Sequence, residues 1–277
     1  MADEDVLLEM TKEHLNIGLR GVPVGTCRTS FVTPTEGVHY CGYPIRELAG
    51  FEPEDIVYLL MNKELPNAAQ SQEIRQDLAG RAKIPGDLES VLRTLPKFGH
   101  PMDWLSVGIH TLGMFETTED WKEDALNLIA RMPRLMGLIF RIREGRDSNI
   151  PEDDTSMSLV DRFIHTLELE NVDKDIMRRV ISTYLVLHMD HGGGNLSTFT
   201  GKAVASGKAT VYSSIAGAMN ALSGPLHGRA NQSCLEFVLK IGTSVTEEVE
   251  AFVRAELEAG KPIFGFGHAV LRVEDPR

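Results

Sequence analysis

The chain has 277 residues, with 28 Lys and Arg against 40 Asp and Glu, a formal charge of −12 and a pI near 5.2. That length can bury a sizeable core in one large domain or two. The acidic balance offers no basic stripe to a nucleic acid, so an anionic ligand must be held by locally placed arginines.

From the N-terminus onward the pattern is helical. Val6, Leu7, Met10, His14 and Leu15 share one face of an expected first helix. The acidic start, Met1-Ala2-Asp3-Glu4-Asp5, has neither the basic region of a signal peptide nor the arginines of a transit peptide. No apolar run reaches the ~18 residues of a membrane span. Residues 26–32 and 37–41 flank a turn containing Pro34 and predict a small hairpin. Cys27 and Cys41, with Cys234 further on, lack C-x-x-C spacing, so reduced thiols in a cytoplasmic protein are expected rather than a disulfide framework.

Helical spacing then predicts helices over 53–61, 70–82, 87–95 and 104–115, and a longer one over 118–143 interrupted or kinked near Pro133. Residues 148–157 read as an exposed loop. A helix over 173–189 ends at Gly192-Gly193-Gly194, and another over 211–222 stops at Gly224-Pro225. A further helix starts near Arg229, and Ser244 with Glu247 forms a capping box for a last one reaching Ala259. Strand content far below the usual fifth makes the fold all-α with a minor N-terminal β-hairpin.

Three segments carry chemistry. In Gly224-Pro225-Leu226-His227-Gly228 the histidine sits in a turn just before a helix N-terminus, where the positive end of the dipole favours a neutral imidazole. Such a histidine can donate a hydrogen bond to a developing enolate; as a structural group it would be a capping or packed turn residue. In His188-Met189-Asp190-His191-Gly192-Gly193-Gly194-Asn195-Leu196-Ser197 the two histidines lie three apart. An H-x-x-H pair is half of a zinc site, but no intervening Glu or third soft ligand accompanies it, so no metal is expected. Gly265-Phe266-Gly267-His268 lacks the third glycine of a dinucleotide fingerprint. Its glycines instead permit close backbone approach to a ligand. The chain then runs through Arg272 to Asp275-Pro276-Arg277.

In this order the segments resemble the D-H-x-G-G-N, G-P-L-H-G-x-A-N and G-x-G-H-A-V-L-R signatures of the citrate synthase family. Gly18-Leu19-Arg20-Gly21, the Glu36–Ile45 hairpin region and Glu64-Leu65-Pro66 are similar to that family's N-terminal part. The resemblance implies a large helical domain over 1–228 and the start of a smaller one over 229–277, with a cleft between them. It implies condensation of acetyl-CoA with oxaloacetate and water to citrate and CoA, without metal or other cofactor. A close alternative is 2-methylcitrate synthase acting on propionyl-CoA.

By the same resemblance His227 stabilises the enolate and His268 polarises the oxaloacetate carbonyl. His188, His191, Asn195 and Arg277 hold the acid, and Ser197 orients His227. Arg272, Gly265 and Gly267 meet coenzyme A, and Arg20 and Arg143 reach it from the partner subunit of a homodimer. The apolar faces of 104–115 and 125–140 are the expected dimer contacts. The family's base is an aspartate downstream of the second histidine motif, and none is found before Arg277. Neither Asp190, turned away from His191, nor Asp275, beside Pro276, replaces it. The expectation is therefore a piece of a longer enzyme, the alternative a truncated, inactive paralogue that only binds.

Overall fold

A computed structural model describes residues 8–16, 22–148, 150–152, 154, 156–224, 227–228, 230–263, 265–266 and 271–277. Arg20, Gly267 and His268 lie outside the described residues, as do Val6 and Leu7. Of the expected first helix, the described residues show a 3-10 turn, Lys12–Asn16. Met10 and Leu15, two residues of the supposed apolar face, are 64% and 79% exposed.

The hairpin forms as expected, with β1 (Ser30–Thr33) antiparallel to β2 (Gly37–Tyr40) and Ser30 opposite Tyr40. A short β3 (Tyr43–Pro44) extends it and leads into α1 (Ile45–Leu48). Then come α2 (Pro53–Asn62), α3 (Ala68–Arg81), α4 (Gly86–Thr94), α5 (Pro101–Glu116) and α6 (Trp121–Arg143), the last continuing through Pro133. The remainder are α7 (Leu159–Leu167), α8 (Lys174–His188), α9 (Leu196–Ser206), α10 (Val211–Leu222), α11 (Ala230–Ile241) and α12 (Thr246–Glu258). Among the described residues the architecture is helical apart from this three-stranded sheet. No helix among them is long and apolar enough to cross a membrane.

The main core lies between α4, α5, α6 and α10, where Trp104, Ile109, Leu112, Leu135, Leu138 and Tyr212 are all buried. Burying each such side chain contributes about 1.5–3 kcal/mol before entropy is counted. The apolar faces of α5 and α6 that suggested a dimer contact are thus largely spent inside the chain. Val107, Met114 and Phe115 of α5 are what stays exposed. α5 and α10 approach so closely at Gly113 that a Cβ there would lie 2.7 Å from the Cβ of Tyr212.

A second core ties the N-terminal hairpin to the chain's later parts. Val38 and Tyr40 pack with Ile45, Ile56, Leu59, Val186, Leu187 and Leu271. The hairpin, the end of α8 and the segment 271–277 therefore meet at one place. Nearby, Glu54 at the start of α2 accepts the Leu159 N–H at 2.7 Å and so caps α7 from another helix.

Candidate active site

The loop after α8 is built on the hairpin. The buried Tyr40 hydroxyl donates to the Leu187 carbonyl at 2.9 Å and accepts the Asp190 N–H at 3.2 Å. Burial pushes the Tyr40 phenol above its ordinary range. Asp190 accepts the Thr29 hydroxyl at 2.5 Å and the Gly192 N–H at 3.0 Å. Ser30 Oγ accepts the same Gly192 N–H at 2.7 Å. Gly192 has φ +78°, a left-handed value that suits glycine. Asp190 is thus a loop brace, hydrogen-bonded from two sides.

Asn195 ends the loop and starts α9. Its Oδ1 accepts the Thr198 N–H and the Ser197 hydroxyl, both at 2.8 Å, while Nδ2 donates to the Gly192 carbonyl at 3.2 Å. This is an N-cap, worth about 0.5–2 kcal/mol to the helix. The polar cluster after the glycines is therefore the first turn of a helix.

His227 stands in the turn after α10, half-buried. The turn is closed by the His227 N–H on the Gly224 carbonyl at 3.0 Å and the Gly228 N–H on the Leu222 carbonyl at 2.9 Å. A Cβ at Gly228 would sit 2.4 Å from that carbonyl oxygen, so only glycine fits. The Ser197 backbone N–H donates to His227 Nε2 at 3.3 Å. An accepting Nε2 needs its lone pair, so the ring is neutral with its proton on Nδ1. Ser197 thus meets His227 through its main chain, while its hydroxyl is turned to Asn195.

Arg277 and His191 also come together, Nη1 lying 3.0 Å from Nδ1. A guanidinium can only donate, so His191 carries its proton on Nε2. The other guanidinium nitrogens grip Asp275, Nε and Nη2 lying 2.8 Å and 2.6 Å from its two carboxylate oxygens. Arg277 is thereby held as a bidentate fork with its side chain only 13% exposed. Beside it a groove of about 470 Å³ runs along α8, lined by Thr183, Tyr184, Leu187, His188 and Pro276.

His188 is exposed, stacks on Tyr184 with centroids 4.1 Å apart and lies 2.7 Å from its carbonyl through Nδ1. Arg143 donates to the Gly99 carbonyl at 2.9 Å. Arg272 is exposed, and its main-chain N–H donates to Pro34 O at 2.9 Å, fixing the 271–277 segment to the hairpin turn. Gly265, at φ +93°, lies against Cys234, whose Sγ would be 3.2 Å from a Cβ. Among the described residues no cluster of three or more His, Cys, Asp or Glu is disposed to hold a metal. Sequence reading missed Thr29, Ser30 and Tyr40, whose partners lie more than a hundred residues away.

A family model described as "Citrate synthase, C-terminal domain" matches residues 18–277. The mitochondrial 2-methylcitrate synthase of Yarrowia lipolytica is 34% identical over 301 residues, covering 98% of this chain and 64% of that protein. The mitochondrial citrate synthase of Saccharomyces cerevisiae is 34% identical over 302 residues, covering 98% and 62%. The chain therefore spans a little under two thirds of the length of these relatives. The crystal structure of citrate synthase from Thermotoga maritima superposes with a TM-score of 0.81 at 28% identity, covering 94% of this chain and 69% of that one.

Proposed function

The chain belongs to the citrate synthase family, and on that premise we propose that the intact protein condenses acetyl-CoA with oxaloacetate and water to give citrate and CoA. The observation that supports this most directly is the bond from the Ser197 N–H to His227 Nε2. It leaves a neutral imidazole whose Nδ1–H can donate to the thioester oxygen as that oxygen gains enolate charge. A carboxylate base takes the methyl proton. Asp190 and Asp275 are not that base, since each is committed to other hydrogen bonds. The enolate carbon then attacks the ketone carbon of oxaloacetate, polarised by His268, and water cleaves the thioester.

In this scheme His191 and Arg277 bind the carboxylates of oxaloacetate. The pair is already assembled, and Asp275 holds the place a substrate carboxylate would take on the guanidinium fork. Asn195 fixes the loop, and His188 borders the groove. Gly265, Gly267 and Arg272 meet coenzyme A, with Arg20 and Arg143 contributed across a homodimer. The dimer reading is supported by exposed Met114 and Phe115 on α5. The division at 228 is supported by α11 and α12, which bury no described residue and pair with each other through Phe237 and Phe252 at 5.6 Å. A cytoplasmic setting belongs to the same proposal. No metal or cofactor takes part, so activity should survive EDTA.

The test is stoichiometric. With both substrates present, free thiol and citrate should appear one for one. Thiol release that is absent, or indifferent to oxaloacetate, overturns the reading. Propionyl-CoA is the comparison donor, because one methylene is worth only ~1–3 kcal/mol in a pocket and a relative at 34% identity is named a 2-methylcitrate synthase.

A further inference from the structure

Cys27 and Cys41 line one cavity of about 270 Å³ together with Arg28, Thr29, Ser30 and Lys63. Both sulfurs bracket Thr29. Cys27 Sγ lies 3.5 Å from its hydroxyl, and Cys41 Sγ donates to its carbonyl at 3.5 Å. Cys27 Sγ is also 3.5 Å from Ser30 Oγ. These two hydroxyls are the ones that hold Asp190 and Gly192. Cys27 touches the same loop directly, since a Cβ on Gly193 would lie 3.3 Å from its own Cβ.

We propose that Cys27 and Cys41 are an oxidisable pair whose disulfide loosens the loop over 190–195 and so controls the acid-binding site. The control of acid binding rests on the function proposed above; the oxidation itself does not. The co-reactant is a peroxide. The Cys27 thiolate attacks one peroxide oxygen, the O–O bond breaks and hydroxide leaves, giving the sulfenic acid. Cys41 then attacks that sulfur, the S–O bond breaks, and the hydroxyl leaves as water with the Cys41 proton. Two thiols are oxidised to one disulfide, and one hydrogen peroxide is reduced to two waters.

The environments suit this division of labour. Burial opposes ionisation of Cys27, but hydrogen bonds with Thr29 and Ser30 outweigh it and hold the thiol below its ordinary range. Burial and then the Asp190 charge push Cys41 up, so it keeps its proton and is not the thiol that peroxide oxidises first. Cys41 is anchored by its N–H on Thr29 O at 2.7 Å, whereas residues 22–27 have no regular secondary structure. Cys27 is therefore the partner that moves. An S–S bond of ~2 Å requires the sulfurs to leave the Thr29 hydroxyl and the Thr29 carbonyl on which they now lie. Closing it displaces that side chain, which removes the Thr29 brace on Asp190, and takes Cys27 off Ser30, whose hydroxyl holds Gly192.

The experiment treats the intact protein with hydrogen peroxide and follows mass, peptide connectivity and hydrogen exchange. Wild type should lose two hydrogens and yield a Cys27–Cys41 cross-linked peptide. Cys41→Ser should instead stop at a sulfenic acid on Cys27 that dimedone traps, and Cys41→Ala should do the same. In the cross-linked protein the amides of 190–195 should exchange faster, and oxaloacetate affinity should fall about fivefold or more. Over-oxidised but unlinked cysteines, or a link to Cys234, overturn the pairing. A cross-link that leaves loop exchange and oxaloacetate affinity unchanged overturns the control. If the reduced protein binds no oxaloacetate but the cross-link still speeds loop exchange, the proposed substrate is wrong and the oxidation site stands.

Discussion

The Ser197 N–H and His227 Nε2, 3.3 Å apart, join the first turn of α9 to the turn that follows α10. One main-chain donor thus sets the tautomer of the histidine proposed to stabilise the enolate. Because the donor is backbone, its loss requires removing the N–H rather than the side chain. Ser197→Ala should change kcat less than about fivefold, whereas Ser197→Pro, tolerated in a helix's first turn, should lower it by ~10-fold or more. Equal effects of the two substitutions in steady-state kinetics would contradict a main-chain role.

Arg277 donates to His191 while its fork holds Asp275. Lysine keeps the charge but cannot make a bidentate grip. Arg277→Lys should therefore raise the KM for oxaloacetate ~10-fold, the loss of one charged hydrogen bond of about 1.5 kcal/mol, with kcat little changed. His191→Ala should shift KM in the same direction. Initial rates over a range of oxaloacetate check both.

Tyr40→Phe removes the hydroxyl that bridges α8 and the loop. It leaves a buried carbonyl and a half-buried N–H short of a partner, a cost of about 1–3 kcal/mol. Urea unfolding should show that loss, and amide exchange at residues 188–192 should quicken. Ser30→Ala should quicken exchange at Gly192 with a smaller effect on unfolding, and Ser30→Thr should restore it.

Glu54 is 1% exposed; one carboxylate oxygen accepts from Leu159 and the other is buried without a partner. Burial pushes its pKa up. A raised folded pKa means that its contribution to stability is intact below the ordinary carboxyl range and is lost as pH rises through the folded value. Glu54→Gln keeps the acceptor for Leu159 and removes the charge. Its Tm should match wild type in mild acid and exceed it at neutral pH. A Tm difference independent of pH would mean that the carboxyl does not titrate with folding.

How much of this was legible in the sequence depended on how local the signal is. α10 matched its expected 211–222 limits, because Thr210 caps its start and Gly224 follows its end. No helix was expected over α9, because Ser, Thr and Gly are poor helix formers, although the Asn195 cap was in plain view. α7 was missed despite Ser158 and Asp161, a start signal beside a stretch that looked exposed. The capping box at Ser244 did not form, since α12 begins at Thr246 with Val245 at the cap. Around the candidate site, His191, His227 and Ser197 could be named because each motif is contiguous. Tyr40–Leu187 and Thr29–Asp190 span 147 and 161 residues, and no spacing rule reaches that far.

The measurement that bears most directly on the account is His227→Ala, followed by turnover per folded molecule and by thermal unfolding. The account expects kcat to fall ~10²–10³-fold while oxaloacetate affinity changes little and stability stays within about 1 kcal/mol of wild type. A variant that unfolds readily yet turns over normally when folded would make His227 a structural cap and remove the centre of the proposed mechanism.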